Sequence, residues 1–176
     1  MIALDPLTLD FGATNAVAHL WARRFTEAAD RSQRISAVDS QFWLAIVVLG
    51  RALEGQGAFD RAIAVHQRAL TIDGSKPEAL MDLGRAQALA GRRADAERTR
   101  REIEEFGRRE YSAPFHLAVV DAALGHTDRA FEELDQAIAA RSWYATWLLV
   151  DPSLDPLRKD PRFAQRLERV GFTARR

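Results

Sequence analysis

The side chains that could do acid–base or metal chemistry in this chain are scattered. Its four histidines are His19, His66, His116 and His126, and no cysteine accompanies them. None stands at i, i+4 from another and no HExxH occurs, so no helix presents a histidine pair to zinc. His66 is expected as a packed histidine between two helices. Ser, His and Asp all occur, but without a G-x-S-x-G elbow. No GxGxxG is present, and "GRRADAERTRRE" lacks the glycine framework and GK[ST] ending of a phosphate loop. The acid pairs Glu104-Glu105 and Glu132-Glu133 have arginines at i−4, Arg101 for Glu105 and Arg129 for Glu133. That spacing gives solvated helix-surface ion pairs rather than a catalytic dyad. Arg92, Arg93, Arg98, Arg100, Arg101, Arg108 and Arg109 cluster, yet Asp95, Glu97, Glu102, Glu104, Glu105 and Glu110 interleave with them. A solvated helix face is expected there, not a nucleic-acid site. No catalytic, metal-binding or cofactor-binding residue is assigned, and the chain does not read as an enzyme.

Composition agrees. The 176 residues are 47% hydrophobic, enough for one domain with a core, and Lys plus Arg balances Asp plus Glu at 25 each. A neutral chain carries no global field toward nucleic acid or an anionic membrane. The longest apolar run, "FWLAIVVLG" at 42–50, is under half a membrane span. No basic leader opens the sequence. The lack of cysteine fits a reducing compartment such as the cytoplasm. Ala and Leu are abundant while Val, Thr, Tyr and Ile are sparse, which favours helix.

The elements that position these side chains repeat. Gly57, Gly91 and Gly125 are spaced by 34, as are Ala62, Ala96 and Ala130. Leu49, Leu83 and Leu117 keep the same phase, and Gly50 leads to Gly84 and Ala118. Such a period marks a stacked repeat array. Four repeats are expected, at 9–42, 43–76, 77–110 and 111–144, each of two helices. Small residues at Gly50 and Ala62 would let the paired helices cross closely. The helix "ADAERTRREIEEFG" is highly charged and is expected to be more solvated than its counterparts.

This pattern resembles the tetratricopeptide repeat, on the Leu49-Gly50 and Leu83-Gly84 pairs, the loop glycines, and the alanine pairs Ala62/Ala69 and Ala130/Ala137. The first repeat departs from it, with Asn15 for the Leu and Arg23 for the loop Gly. Arg100 stands where an aromatic is expected, and the terminal Pro survives only as Pro6. The resemblance implies an all-α, right-handed α-solenoid of four helical hairpins plus a C-terminal capping helix. "IALDP" at 2–6 matches the end of a repeat in phase, so residues 1–8 are expected to be the tail of a preceding repeat.

The same resemblance implies a ligand face on the first helix of each repeat. Carried over, it names Thr14, Val17 and Trp21; Val47, Val48, Arg51 and Glu54; Glu78, Met81, Asp82, Arg85 and Ala88; and Phe115, His116 and Val119. Trp21, Val47, Arg51, Glu54, Met81, Asp82, Arg85, Phe115 and His116 form the candidate partner-binding set. Arg51 and Arg85, one repeat apart, either clasp an acidic partner group or pair with Glu54 and Asp82. Relatives that grip chaperone tails use a Lys/Asn set where this chain has Val47, Arg51, Asp82, Ser112 and His116, so that ligand is not expected.

"RSWYATWLLVDPSLDPLRKDPRF" follows the last repeat, within residues 145–176 and the turn before them. Asp160-Pro161 reads as a helix start, with Phe163, Leu167 and Val170 as its apolar stripe. Arg162, Gln165, Arg166, Glu168 and Arg169 are expected to face out. A solenoid cannot leave its last face bare, so this stretch is expected to cap it. The alternative is an aromatic peptide pocket around Trp143–Trp147. The tail also resembles those of repeat regions in bacterial winged-helix regulators, nucleotide cyclases and serine/threonine kinases. The expected function is a protein–protein interaction module taking a peptide or helix in its concave groove. The alternative is a regulatory extension of a signalling protein, acting by docking on an upstream domain of the same protein or by forming a homodimer.

Overall fold

The computed structural model describes residues 6–72, 76–107 and 113–172. Nine α-helices run through the described residues. They are α1 (Pro6–Trp21), α2 (Phe25–Val38), α3 (Trp43–Gly55), α4 (Phe59–Ala69), α5 (Lys76–Leu89), α6 (Arg93–Gly107), α7 (Ala113–Leu124), α8 (Thr127–Ala139) and α9 (Pro161–Val170). Two short 3-10 helices, Trp143–Trp147 and Pro152–Leu157, lie between α8 and α9. α1 begins at Pro6, where the missing backbone N–H does no harm, so it reaches into the stretch expected to be a preceding tail. The rest of that tail, residues 1–5, lies outside the described residues, as do Gly74, Arg108, Arg109, Glu110 and Ser112.

The helices pair in order as four hairpins, and α1, α3, α5 and α7 touch in sequence to form an inner layer. Each hairpin turns on one column. Gly57, Gly91 and Gly125 have φ of 75°, 74° and 79°, a left-handed backbone that a Cβ disfavours. Arg23 holds φ 57° at the equivalent place. The first turn therefore forms without its glycine, at a cost of about 1 kcal/mol.

Close approach between helices occurs where small residues permit it, though at a different contact from the one expected. A Cβ on Gly50 would lie 2.2 Å from Cε1 of His66, so the imidazole of α4, rather than Ala62, fills the space over Gly50. Polar pairs twelve residues apart pin two hairpins, Glu54 with His66 at 2.7 Å and Gln87 with Thr99 at 2.8 Å, while at the same spacing Asp121 and Glu133 share Arg100.

The largest apolar cluster joins α7 and α8 to the C-terminal stretch, with Leu148, Leu154, Leu157 and Phe163 all within it. Asp160 caps α9 by accepting the Arg162 backbone N–H at 2.9 Å. Phe163 is buried, and of the arginines expected to face out Arg166 is largely covered, its side chain 13% exposed against 39% for Arg162. Arg162 and Arg166 lie over the Phe131 ring, 4.4 and 4.9 Å from its centre. Arg166 also bonds Asp135. Their long stems cover apolar surface while the charged ends stay paired.

Within the arginine-rich α6, the expectation of a solvated face needs correction at Arg100. Ala96, Thr99, Arg100 and Ile103 are buried on one side of the helix. Arg100 reaches Asp121 at 2.8 Å and Glu133 at 2.6 Å. Glu133, read from its spacing as a surface partner of Arg129, is inside this node. Burial first, then the adjoining Asp121 carboxylate, push Glu133 up to about 8 against the pull of Arg100. Among the described residues no helix is long and apolar enough to cross a membrane.

Candidate functional site

The inner layer is occupied by the chain itself. After α8 the backbone turns at Arg141, with φ 52°, and crosses the first helix of every hairpin. Tyr144 stacks on Phe115 of α7 with ring centres 5.2 Å apart, and its hydroxyl donates to Glu78 of α5. Burial, followed by that carboxylate, pushes the phenol up, so it remains a donor. Trp147 meets Trp21 of α1 at 5.8 Å. Asp151 caps the second 3-10 helix by accepting the Ser153 N–H at 2.8 Å and presents Oδ2 3.6 Å from Arg51 of α3. Asp155 takes two hydrogen bonds from Arg23, at 2.5 and 3.2 Å, in the turn between α1 and α2. Residues 143–157 thus form a strap from the last hairpin to the first.

The nine candidate partner-binding side chains divide under this strap. Met81, Phe115 and His116 are each 1% exposed, and His116 lies 4.8 Å from the Tyr144 ring. Arg51 donates Nε–H to both oxygens of Asp82, at 2.8 and 2.9 Å. Arg85 pairs with Glu54. The two guanidinium groups therefore meet carboxylates of the neighbouring helix, the internal alternative of the two considered above. Desolvated pairs of this kind are held by geometry and are weak evidence of stability in themselves.

His66 completes the charged row. It is fully buried, its Nδ1 has no hydrogen-bond partner, and its Nε2–H donates to Glu54. A second ring proton would point at nothing. Burial accordingly holds His66 down to about 4. The folded value lies below the ordinary 6.5, so the unfolded chain takes up the proton first. Stability should fall as pH drops from about 6.5 to about 4, by up to roughly 3 kcal/mol. Urea unfolding across that window checks this: the difference from His66→Gln, whose amide still donates to Glu54, should carry the slope.

Trp21 and Val47, the two remaining members of the set, line a cavity of about 480 Å³ between α1, α3 and the start of the strap, and Arg51 reaches its wall. Thr14, Val17, Val48 and Glu78, carried over from the same family positions, line it too. So do Trp43, Trp143 and Trp147, which with Trp21 are all the tryptophans of the chain. Trp43 and Asp151 are absent from the sequence-derived set. Trp43 begins α3, four residues before Val47, the first position carried over on that helix, and nothing local marks Asp151 as more than a turn residue. Convergence of every tryptophan on one place is visible only in three dimensions. No group of three or more His, Cys, Asp or Glu able to hold a metal ion occurs among the described residues.

Comparison with known proteins agrees with this architecture. The family model described as Tetratricopeptide repeat matches residues 53–113, from the end of α3 to the start of α7. A solved structure of MamA AMB-1 is similar, with a TM-score of 0.50 and 18% identity over 96% of this chain and 85% of that chain. At that identity the likeness is one of fold. No curated protein matches.

Proposed function

We propose that this chain, with its tetratricopeptide-repeat stretch, is a protein–protein interaction module that binds through the tryptophan-lined cleft rather than along the whole inner face. Repeats of this kind generally mediate protein–protein interaction. The strap argues for the narrower surface. Leu148, Leu154 and Leu157 are 0–1% exposed, so they belong to the core, and a peptide cannot lift them cheaply. What stays open is the cleft. Its rim residues Trp43 and Trp143 are 40% and 58% exposed, and Phe11, 76% exposed, continues the α1 stripe of Thr14, Ala18 and Trp21. Apolar surface left exposed in one place marks an interaction site.

A second reading is a regulatory extension of a signalling protein, acting by docking on an upstream domain or by dimerisation; the strap, which leaves little of the inner face free for an independent ligand, is the observation in its favour. Affinity capture from a lysate separates the two. A partner held by the wild type and lost from Trp43→Ala/Trp143→Ala, at unchanged helicity, is the expected result. A partner held equally by both would remove the cleft from consideration. Capture of nothing would favour the second reading.

A further inference from the structure

The cleft has an electrical character that its apolar lining conceals. Two charged side chains reach its wall, Arg51 and Glu78. Arg51 is already matched: its Nε–H serves both oxygens of Asp82, and its Nη1 faces Asp151 at 3.6 Å. One guanidinium therefore answers two carboxylates. Oδ2 of Asp151 is buried without a hydrogen-bond partner. Glu78 adds a further carboxylate. Its partner is the neutral Tyr144 hydroxyl, and no ion pair to it occurs among the described residues. The neighbouring Arg85–Glu54 pair is neutral, as is His66. Arg23 and Arg158 both pair with Asp155 at the far end of the strap, away from the cleft lining. With Arg51 engaged by Asp82 and Asp151, Glu78 is the carboxylate of the cleft lining that no ion pair answers among the described residues, and the indole walls present negative ring faces as well.

We infer that the cleft seats a basic side chain, Arg or Lys, carried by a partner segment with apolar neighbours. The cation would lie against the indoles and face Glu78, while the neighbours fill the rest of the volume. Cation–π attraction is strongest over Trp and grows when the site is desolvated. An anionic group would meet the Glu78 carboxylate. A neutral one would fill the space and leave the charge unanswered. The inference rests on the cleft being the binding surface, and adds the charge of what binds.

Tryptophan emission reports occupancy directly, because every tryptophan of the chain lines the site. The probe is acetyl-Leu-Arg-Leu-amide, compared with the same peptide carrying citrulline, the neutral isostere, or glutamate. The arginine peptide should give a saturable shift and bind about tenfold more tightly than the citrulline peptide. Glu78→Gln should weaken the arginine peptide about fivefold and leave the citrulline peptide unchanged. Equal binding of arginine and citrulline peptides would overturn the charge preference while leaving the cleft as a binding surface. Tighter binding of the glutamate peptide would make Arg51 the anchor and overturn the inference. No saturable response to any peptide would also overturn it, and the capture experiment would then decide the surface separately. Benzyltrimethylammonium binding more tightly than the arginine peptide would assign the site to small amines instead of a protein partner.

Discussion

A chain truncated after Ser142 is expected to aggregate, or to lose its cooperative melt. The stretch removed carries Tyr144, Leu148, Leu154, Leu157 and Phe163, each no more than 4% exposed. Fully burying one such side chain contributes about 1.5–3 kcal/mol. Five together compare with the whole stability of a domain, about 5–15 kcal/mol. Their loss would also uncover Met81 and Phe115, which now lie beneath the strap. Circular dichroism melting and size-exclusion chromatography of the truncated chain are the check. A soluble truncation that melts with the full chain would show that the strap is an appendage and not part of the core.

Replacing Arg100 with Ala should destabilise the fold by about 3–5 kcal/mol, because two buried carboxylates lose their shared cation. Asp121 would keep only His126, at 2.9 Å, and the more distant Arg129, at 3.8 Å. Glu133 is already pushed up to about 8 with Arg100 present. An acid whose folded value is raised loses its stabilising contribution as pH rises through that value, so the variant should suffer most at alkaline pH. Equilibrium urea unfolding measures the loss. Combining Arg100→Leu with Asp121→Asn and Glu133→Gln should recover more than half of it, since the uncompensated charge is then gone. A loss under about 1 kcal/mol for Arg100→Ala would mean that the node is solvated after all.

The hairpins were legible because their signals are local and recur. Gly57, Gly91 and Gly125 announce three turns, and the small residue at Gly50 announces a close crossing. Arg23 shows the limit of such reading. It breaks the column as a residue type yet keeps the column's backbone, since stacking against α3 and α4's hairpin fixes the turn and the arginine side chain finds Asp155. Arg100 misleads in the opposite sense. The sequence around it is charged throughout, and period alone cannot tell that this one guanidinium points inward to carboxylates 21 and 33 residues away. The cleft was half legible. Thr14, Val17, Trp21, Val47, Val48, Arg51 and Glu78 of the family positions lie around it, while Glu54, Met81, Asp82 and Arg85 are buried or paired elsewhere, and the strap that closes the remaining face has no repeat period. Its bond from Arg23 to Asp155 spans 132 residues, a separation that leaves no local trace.

That bond changes what kind of object the solenoid is. An open stack of hairpins behaves as a spring: each unit touches only its neighbours, and small rotations between units add up along the axis. Here the last turn of the spring is tied to the first. At the same closure Trp147 of the strap meets Trp21 of α1, and that pair forms one side of the cleft. The cleft is therefore a junction between the two ends of the solenoid, walled on one side by a residue of the first hairpin and by one of the segment that follows the last.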